Sequence, residues 1–200
     1  MKQLFLGLIS LAFVSACNND SGSADGDGTS ITTGTDTVGM ATTADTAGMA
    51  ANAAPLDPMD RNFVMKAMAG SMMEVELGNH AQQNASNQRV KDFGAMMVRD
   101  HSKANDELNS FASRRNIQVN TDSLMNLHKS HIDGLKNKKG KEFDRAYMSM
   151  MVTDHQKDVS EYEKASKMCK DQECLGFAAK TLPVLRMHLD SAQAINKAKM

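Results

Sequence analysis

The sequence contains no tryptophan, and its 200 residues include only two tyrosines and seven phenylalanines. Aromatic rings therefore cannot dominate a core, and much of the filling falls to aliphatic side chains and to 17 methionines. Methionine fills irregular gaps well but specifies packing less than branched residues do. Proline occurs only as Pro55, Pro58 and Pro183. No strand-like alternation competes with the helical period that follows Pro58. No apolar run is long enough to act as a membrane-spanning helix; the run from Leu4 to Val14 is too short. Residues 18–54 lack lysine and arginine altogether, while holding Asp20, Asp25, Asp27, Asp36 and Asp45. Residues 55–200 carry 22 bases against 19 acids. That excess is too small and too dispersed for a nucleic-acid footprint.

What is present at the start is an address. Lys2, the apolar run and Val14-Ser15-Ala16 form the three parts of an export signal, and Cys17 follows directly. Val-Ser-Ala-Cys resembles a bacterial lipobox, which predicts cleavage before Cys17 and acylation of its thiol. The expected organisation is a signal peptide over 1–16, a lipidated Cys17 with a flexible tether over 17–56, and a folded domain over 57–200. The tether is Gly/Ser/Thr/Asp-rich and too polar to order itself. It repeats Asp36-Thr37-Val38-Gly39-Met40-Ala41 as Asp45-Thr46-Ala47-Gly48-Met49-Ala50. Those repeats resemble an O-glycosylation acceptor or are low-complexity sequence. The expected location is outside the cytoplasm on the outer membrane, held by lipid, since Asn18 replaces the aspartate of the inner-membrane retention rule. The remaining cysteines, Cys169 and Cys174, flank a polar break, and an exported chain can join them across it.

The period predicts helices near 59–85, 88–115, 141–169 and 173–198, with a shorter one near 123–137. Ser86-Asn87 reads as a turn and cap, Thr121 or Asp122 as the cap of the short helix, and Pro183 as a kink. Four long helices joined this way read as an all-α four-helix bundle, with the short helix running along it between the second and third.

One polar residue interrupts the apolar stripe of each long helix: Glu74, His101, His155 and His188. His155 lies 16 residues before Asp171 and His188 lies 17 after it. His101 lies 15 residues after Ser86 and Glu74 lies 12 before it. At about 1.5 Å of rise per residue, all four reach one level. Buried imidazoles and carboxylates need partners or a metal. Two readings follow. Three imidazoles and a carboxylate hold one divalent zinc, manganese, iron or copper ion, or they form a metal-free hydrogen-bonded layer. Asp100 and Asp154 each precede one of these histidines; adjacent helix positions point roughly 100° apart, so the two acids are expected to support the site from behind or to pair with another helix. Glu76 replaces Glu74 if the register shifts. His80, His128 and His131 read as solvated or capping. A further reading gives Met72, Met73, Met96, Met97, Met148, Met150, Met151 and Met187 to copper(I) as thioether ligands, against their use as core filling.

Several blocks resemble a known family. They are Phe63-Val64-Met65-Lys66-Ala67, Glu74-Val75-Glu76-Leu77-Gly78, Val90-Lys91-Asp92-Phe93-Gly94, Met97-Val98-Arg99-Asp100-His101-Ser102-Lys103-Ala104-Asn105, Phe143-Asp144-Arg145-Ala146-Tyr147, Asp154-His155 and Lys180-Thr181-Leu182-Pro183 with His188-Leu189. In order and spacing they resemble the bacterial domain-of-unknown-function family labelled "predicted outer membrane protein". That resemblance implies an exported, ferritin-like helical bundle and no established reaction. Di-iron chemistry in ferritin-like bundles uses Glu-x-x-His on two helices. Here Val98 and Leu185 stand three before His101 and His188, so the carboxylates for two irons are missing. No Ser-His-Asp or Cys-His nucleophile set is visible either. The sequence thus points to a membrane-tethered binding module, with one transition metal for storage, buffering or stress protection, or to a metal-free structural and interaction module of the envelope.

Overall fold

Asp57, Asn87, Asn120 and Asp171 each place a side-chain oxygen over the first turn of a helix and set where that helix begins. Asp57 Oδ1 accepts from Met59 N at 2.9 Å, directly before Pro58 at the first helical position. Asn87 Oδ1 accepts from Arg89 N, and Asn120 Oδ1 from Ser123 N. Asp171 Oδ1 accepts from Glu173 N and Cys174 N. The computed structural model describes residues 55–198. The signal peptide, Cys17 and tether residues 18–54 lie outside the described residues. The chain divides into Met1–Ala47 and Gly48–Met200, and everything described belongs to the second unit.

The described residues form six helices: α1 Pro58–Asn84, α2 Gln88–Arg114, α3 Thr121–Leu127, α4 Lys129–Lys136, α5 Gly140–Met168 and α6 Gln172–Lys197. No strand occurs among them, and no helix is long and apolar enough to cross a membrane. The single short helix expected near 123–137 is in fact two. His128 ends α3 and starts α4, with φ −111° and ψ 9°, off the helical path. The cap of α3 is Asn120 rather than Thr121 or Asp122. Pro183 lies inside α6, which continues past it to Lys197. Asn116, at φ 51°, ends α2 in the left-handed region that asparagine tolerates.

α1 pairs with α2, and α5 with α6, as antiparallel hairpins; α1 also packs on α5 and α2 on α6. Each hairpin clasps the other's turn. Asp60 accepts from Lys170 N at 3.0 Å and Asp171 N at 2.8 Å in the α5–α6 turn. Asp144 accepts from Ser86 N and Asn87 N, both at 3.0 Å, in the α1–α2 turn, and Ser86 Oγ donates to it as well. The two clasps share one register: 144 − 60, 170 − 86 and 171 − 87 all equal 84. The same offset relates Phe63 to Tyr147, Ala81 to Ala165 and Phe93 to Phe177. The hairpins are therefore built on one plan, a repeat that sequence reading alone missed. Reciprocal clasping makes α1 antiparallel to α5, so α2 and α5 run the same way. The chain must return along the bundle between them, and α3 and α4 do so, packing on α1.

Two apolar clusters fill the helical bundle. One gathers Phe63, Val64, Met68, Leu108, Phe111, Tyr162, Phe177 and Leu185. The other gathers Met73, Leu77, Val90, Phe93, Met97, Tyr147, Met148, Met151 and Ile195. On α2, α5 and α6 the residues of the two clusters fall on opposite sides of His101, His155 or His188; on α1 they divide just before Glu74, at Met73. The polar layer thus separates two apolar ends.

Candidate metal centre

His101, His155 and His188 come from α2, α5 and α6, and each offers a ring nitrogen within 4.8 Å of the others. His155 and His188 are fully buried and His101 is 4% exposed. Burial disfavours the imidazolium, so all three are held below the ordinary imidazole value, His155 down to about 3. At neutral pH each ring is neutral, with one N–H and one lone pair.

The partners of the outward nitrogens fix which nitrogen is which. His188 Nε2 lies 2.9 Å from Asp100 Oδ2. Arg99, hydrogen-bonded to Asp100, and His188 together hold that carboxyl below its usual range despite its burial. Asp100 therefore accepts, and His188 Nε2 carries the proton. His155 Nδ1 lies 3.0 Å from the Met151 carbonyl, which can only accept, so Nδ1 carries the proton there. The lone pairs of His155 Nε2 and His188 Nδ1 then face each other at 3.3 Å. His101 Nδ1 sits 3.0 Å from Glu74 Oε2 and 3.2 Å from Ser71 Oγ. Its Nε2 is buried with no hydrogen-bond partner. The lone pairs of His155 Nε2 and His188 Nδ1 thus meet with no proton between them, and His101 brings a third ring nitrogen within 4.8 Å. A tetrahedral ion with metal–nitrogen bonds of about 2.0–2.1 Å holds its ligands roughly 3.3–3.4 Å apart. The outward nitrogens rest on a carboxylate, a carbonyl and the Ser71–Glu74 pair, the arrangement that orients imidazole ligands on metals.

Glu74 reaches the level expected of it but not the converging point. Its carboxyl meets the outward nitrogens, His101 Nδ1 at 3.0 Å and His155 Nδ1 at 3.4 Å. Burial first, then Asp158 and Asp154, pushes its pKa well above the usual carboxylate range. Glu76 is exposed and stands outside the site. Asp100 reaches across from α2 to His188 on α6, one of the two roles its position allowed. Asp154 turns away from the trio, since adjacent helix positions diverge by about 100°. Its Oδ2 lies 3.7 Å from His131 Nδ1 on α4, and its Oδ1 lies 3.9 Å from Lys157 Nζ. Of the methionines, Met73, Met97, Met148 and Met151 are buried in one apolar cluster, Met72, Met96 and Met150 are partly buried, and Met187 is exposed. His80 contacts Asn84 within α1. Sequence reading passed over Ser71 and the Met151 carbonyl. Both were within reach: Ser71 is three residues before Glu74 on one helix face, and Met151 is one turn before His155.

At the far end, Cys169 and Cys174 are joined as a disulfide across the α5–α6 turn, with Cα atoms 6.1 Å apart. Asp60 lies close to both sulfurs. Its carboxylate is engaged by the turn amides, and a disulfide offers no thiolate to a metal.

Residues 45–195 match the family described as "Domain of unknown function (DUF4142)". No curated protein matches the chain. Among solved structures, a DUF305 fragment from Deinococcus radiodurans has a similar fold, with a TM-score of 0.60, 11% identity and coverage of 71% of this chain and 97% of that one. At that identity the likeness concerns the fold alone.

Proposed function

The chain belongs to the DUF4142 family, and we propose that it binds one divalent transition-metal ion through His101 Nε2, His155 Nε2 and His188 Nδ1. The observation that carries this reading is the facing of lone pairs. His155 and His188 oppose each other at 3.3 Å while His101 Nε2 has no partner. Without an ion, two acceptors meet head on and a buried nitrogen goes unsatisfied, which costs about 1–3 kcal/mol for the unsatisfied group alone. An ion relieves both. Three protein ligands leave a fourth position for water or a small ligand. The set is all nitrogen, which suits zinc, copper, iron or nickel better than magnesium or calcium. Glu74, Ser71, Asp100 and the Met151 carbonyl hold the outward N–H groups.

Within this proposal the fold is a ferritin-like four-helix bundle reduced to a single-ion centre. It is anchored outside the cytoplasm by an acylated Cys17 and serves to hold or buffer the metal. The support for the anchor is the signal-like sequence ahead of Cys17; the support for holding rather than turnover is the burial of all three imidazoles.

The test is the metal content of full chain purified without a histidine tag, followed by melting with chelator and then with Zn²⁺, Mn²⁺, Fe²⁺ or Cu⁺. An ion at 100 times its dissociation constant is expected to stabilise the fold by about 2.7 kcal/mol. His155→Ala should abolish that gain and His80→Ala should keep it. A wild type that carries no metal and melts identically with every ion would falsify the centre and leave the metal-free interaction module.

A further inference from the structure

We propose that the ion reaches the buried imidazoles through an acid-lined cleft between α1, α4 and α5, passing Gly70 and then Glu74. This rests on the three-imidazole reading and adds how that site is loaded. With His155 and His188 fully buried and His101 nearly so, an ion needs a path through the bundle. An outer cleft is lined by Gly70, His131, Asp154, Asp158 and Glu161, with Lys66 and Lys157 beside them. A narrower inner cleft shares Gly70, Asp158 and Glu161 with it and ends on Glu74 and His101. The two thus adjoin each other across these shared residues.

Oxygen and nitrogen atoms without hydrogen bonds stand at both ends, Asp154 Oδ2 3.7 Å from His131 Nδ1 and Glu74 Oε1 3.4 Å from His155 Nδ1. Asp154 Oδ2 and His131 Nδ1 are buried without hydrogen-bond partners at the outer end, and Glu74 Oε1 is so at the inner end. Asp154 is 92% buried by its 8% exposure, and Glu74 99% by its 1%. Such atoms suit successive oxygen and nitrogen contacts for a cation shedding its water. Two cations border the cleft, but both are engaged: Lys66 pairs with Glu161 at 3.3 Å and Lys157 approaches Asp154 at 3.9 Å. The opposite flank is guarded differently. There Asp100 is bound to Arg99 at 2.7 and 2.9 Å, which sets a guanidinium in front of His188.

Gly70 lines both clefts and is the point that can be tested. A Cβ built on it meets nothing within 4 Å, so a side chain there enters the cleft without striking the fold. It sits inside α1, where any residue but proline is a better helix former than glycine.

The experiment follows Co²⁺ uptake by the full chain in stopped flow, through the visible absorption of the tetrahedral ion, and its extraction by excess chelator. Gly70→Phe is expected to slow uptake and extraction alike, each by about tenfold or more, with the dissociation constant held within roughly twofold, because a plug changes the barrier and not the end states. Gly70→Ala should stay near wild type. At pH 8, above the raised value of about 7 for Asp158, Asp158→Asn should slow uptake at low salt and lose its effect at high salt, as expected of electrostatic steering. Wild-type rates in Gly70→Phe with intact Co²⁺ affinity would overturn the route and leave the centre standing. No Co²⁺ absorption in the wild type would instead remove the centre, and the route with it.

Discussion

At the scale of residues, the polar layer is a set of paired decisions about protons. Burial keeps His101, His155 and His188 neutral, and it keeps Glu74 and Asp158 from ionising easily. Asp158 is pushed up to about 7, by burial first and then by the carboxylates of Asp154 and Glu161. Its folded value lies above the ordinary 3.8, so the folded chain binds the proton more tightly than the unfolded one. Stability is then highest below about pH 4 for this group and is lost as pH rises towards 7. Asp158→Asn removes that loss. The metal-free variant should exceed wild type by roughly 1–3 kcal/mol at pH 8, because each tenfold gain in proton affinity on folding is worth about 1.4 kcal/mol and solvent screens part of it. The difference should close near pH 4, and denaturant titrations across that range measure it. A gap independent of pH would mean that Asp158 ionises freely in the fold. Here sequence reading was weakest. It placed Glu74 at the right height, but the choice of which carboxylate backs which imidazole depends on rotamers. The sequence left Asp100 and Asp154 as supporting or inter-helix partners of no stated imidazole, and the fold gives Asp100 to His188 and Asp154 to His131.

At the scale of elements, hairpin geometry decides how closely helices approach. α1 and α2 meet at Gly78 and Gly94, where a Cβ on Gly78 would stand 2.7 Å from the Gly94 carbonyl oxygen. Backbone cannot step aside as a side chain can, so Gly78→Ala should destabilise by about 1–3 kcal/mol despite alanine's better helix propensity. Gly176→Ala, with nothing within 4 Å, should be neutral or stabilising by up to about 1 kcal/mol. Thermal melts of the two variants compare them directly, and equal effects would show that the hairpin tolerates a wider crossing. Helix ends were legible where a capping side chain stands beside a turn, as at Asn87. They were misread at Asn120, where three polar residues in a row all suit a cap and geometry selects one. The split of α3 from α4 at His128 was not legible, because Leu124, Ile132 and Leu135 keep a continuous helical period across it.

At the scale of the whole molecule, the two hairpins hold each other by Asp60 and Asp144, and the polar layer breaks their repeat. The 84-residue offset sets Ser71 against His155, Glu74 against Asp158, and His101 against Leu185. The folded unit is expected to work from a membrane surface, which rests on the sequence around Cys17. Cys17→Ser should abolish incorporation of a fatty-acid probe in a bacterial host and leave the chain uncleaved or released. Equal labelling of both forms would remove the lipid anchor.

The sequence by itself determined the helices, their apolar faces and the common height of the four polar residues. A period of 3.6 and a fixed rise encode azimuth and height along one axis, and neither needs a partner. Tertiary structure decided the rest: the break between α3 and α4, the reciprocal clasps, and the gathering of three imidazoles while Glu74 stays behind them. Those features depend on which faces meet and on which atom each ring turns towards. Only packing between helices distant in sequence fixes that choice, because the same side chain on an isolated helix is free to rotate.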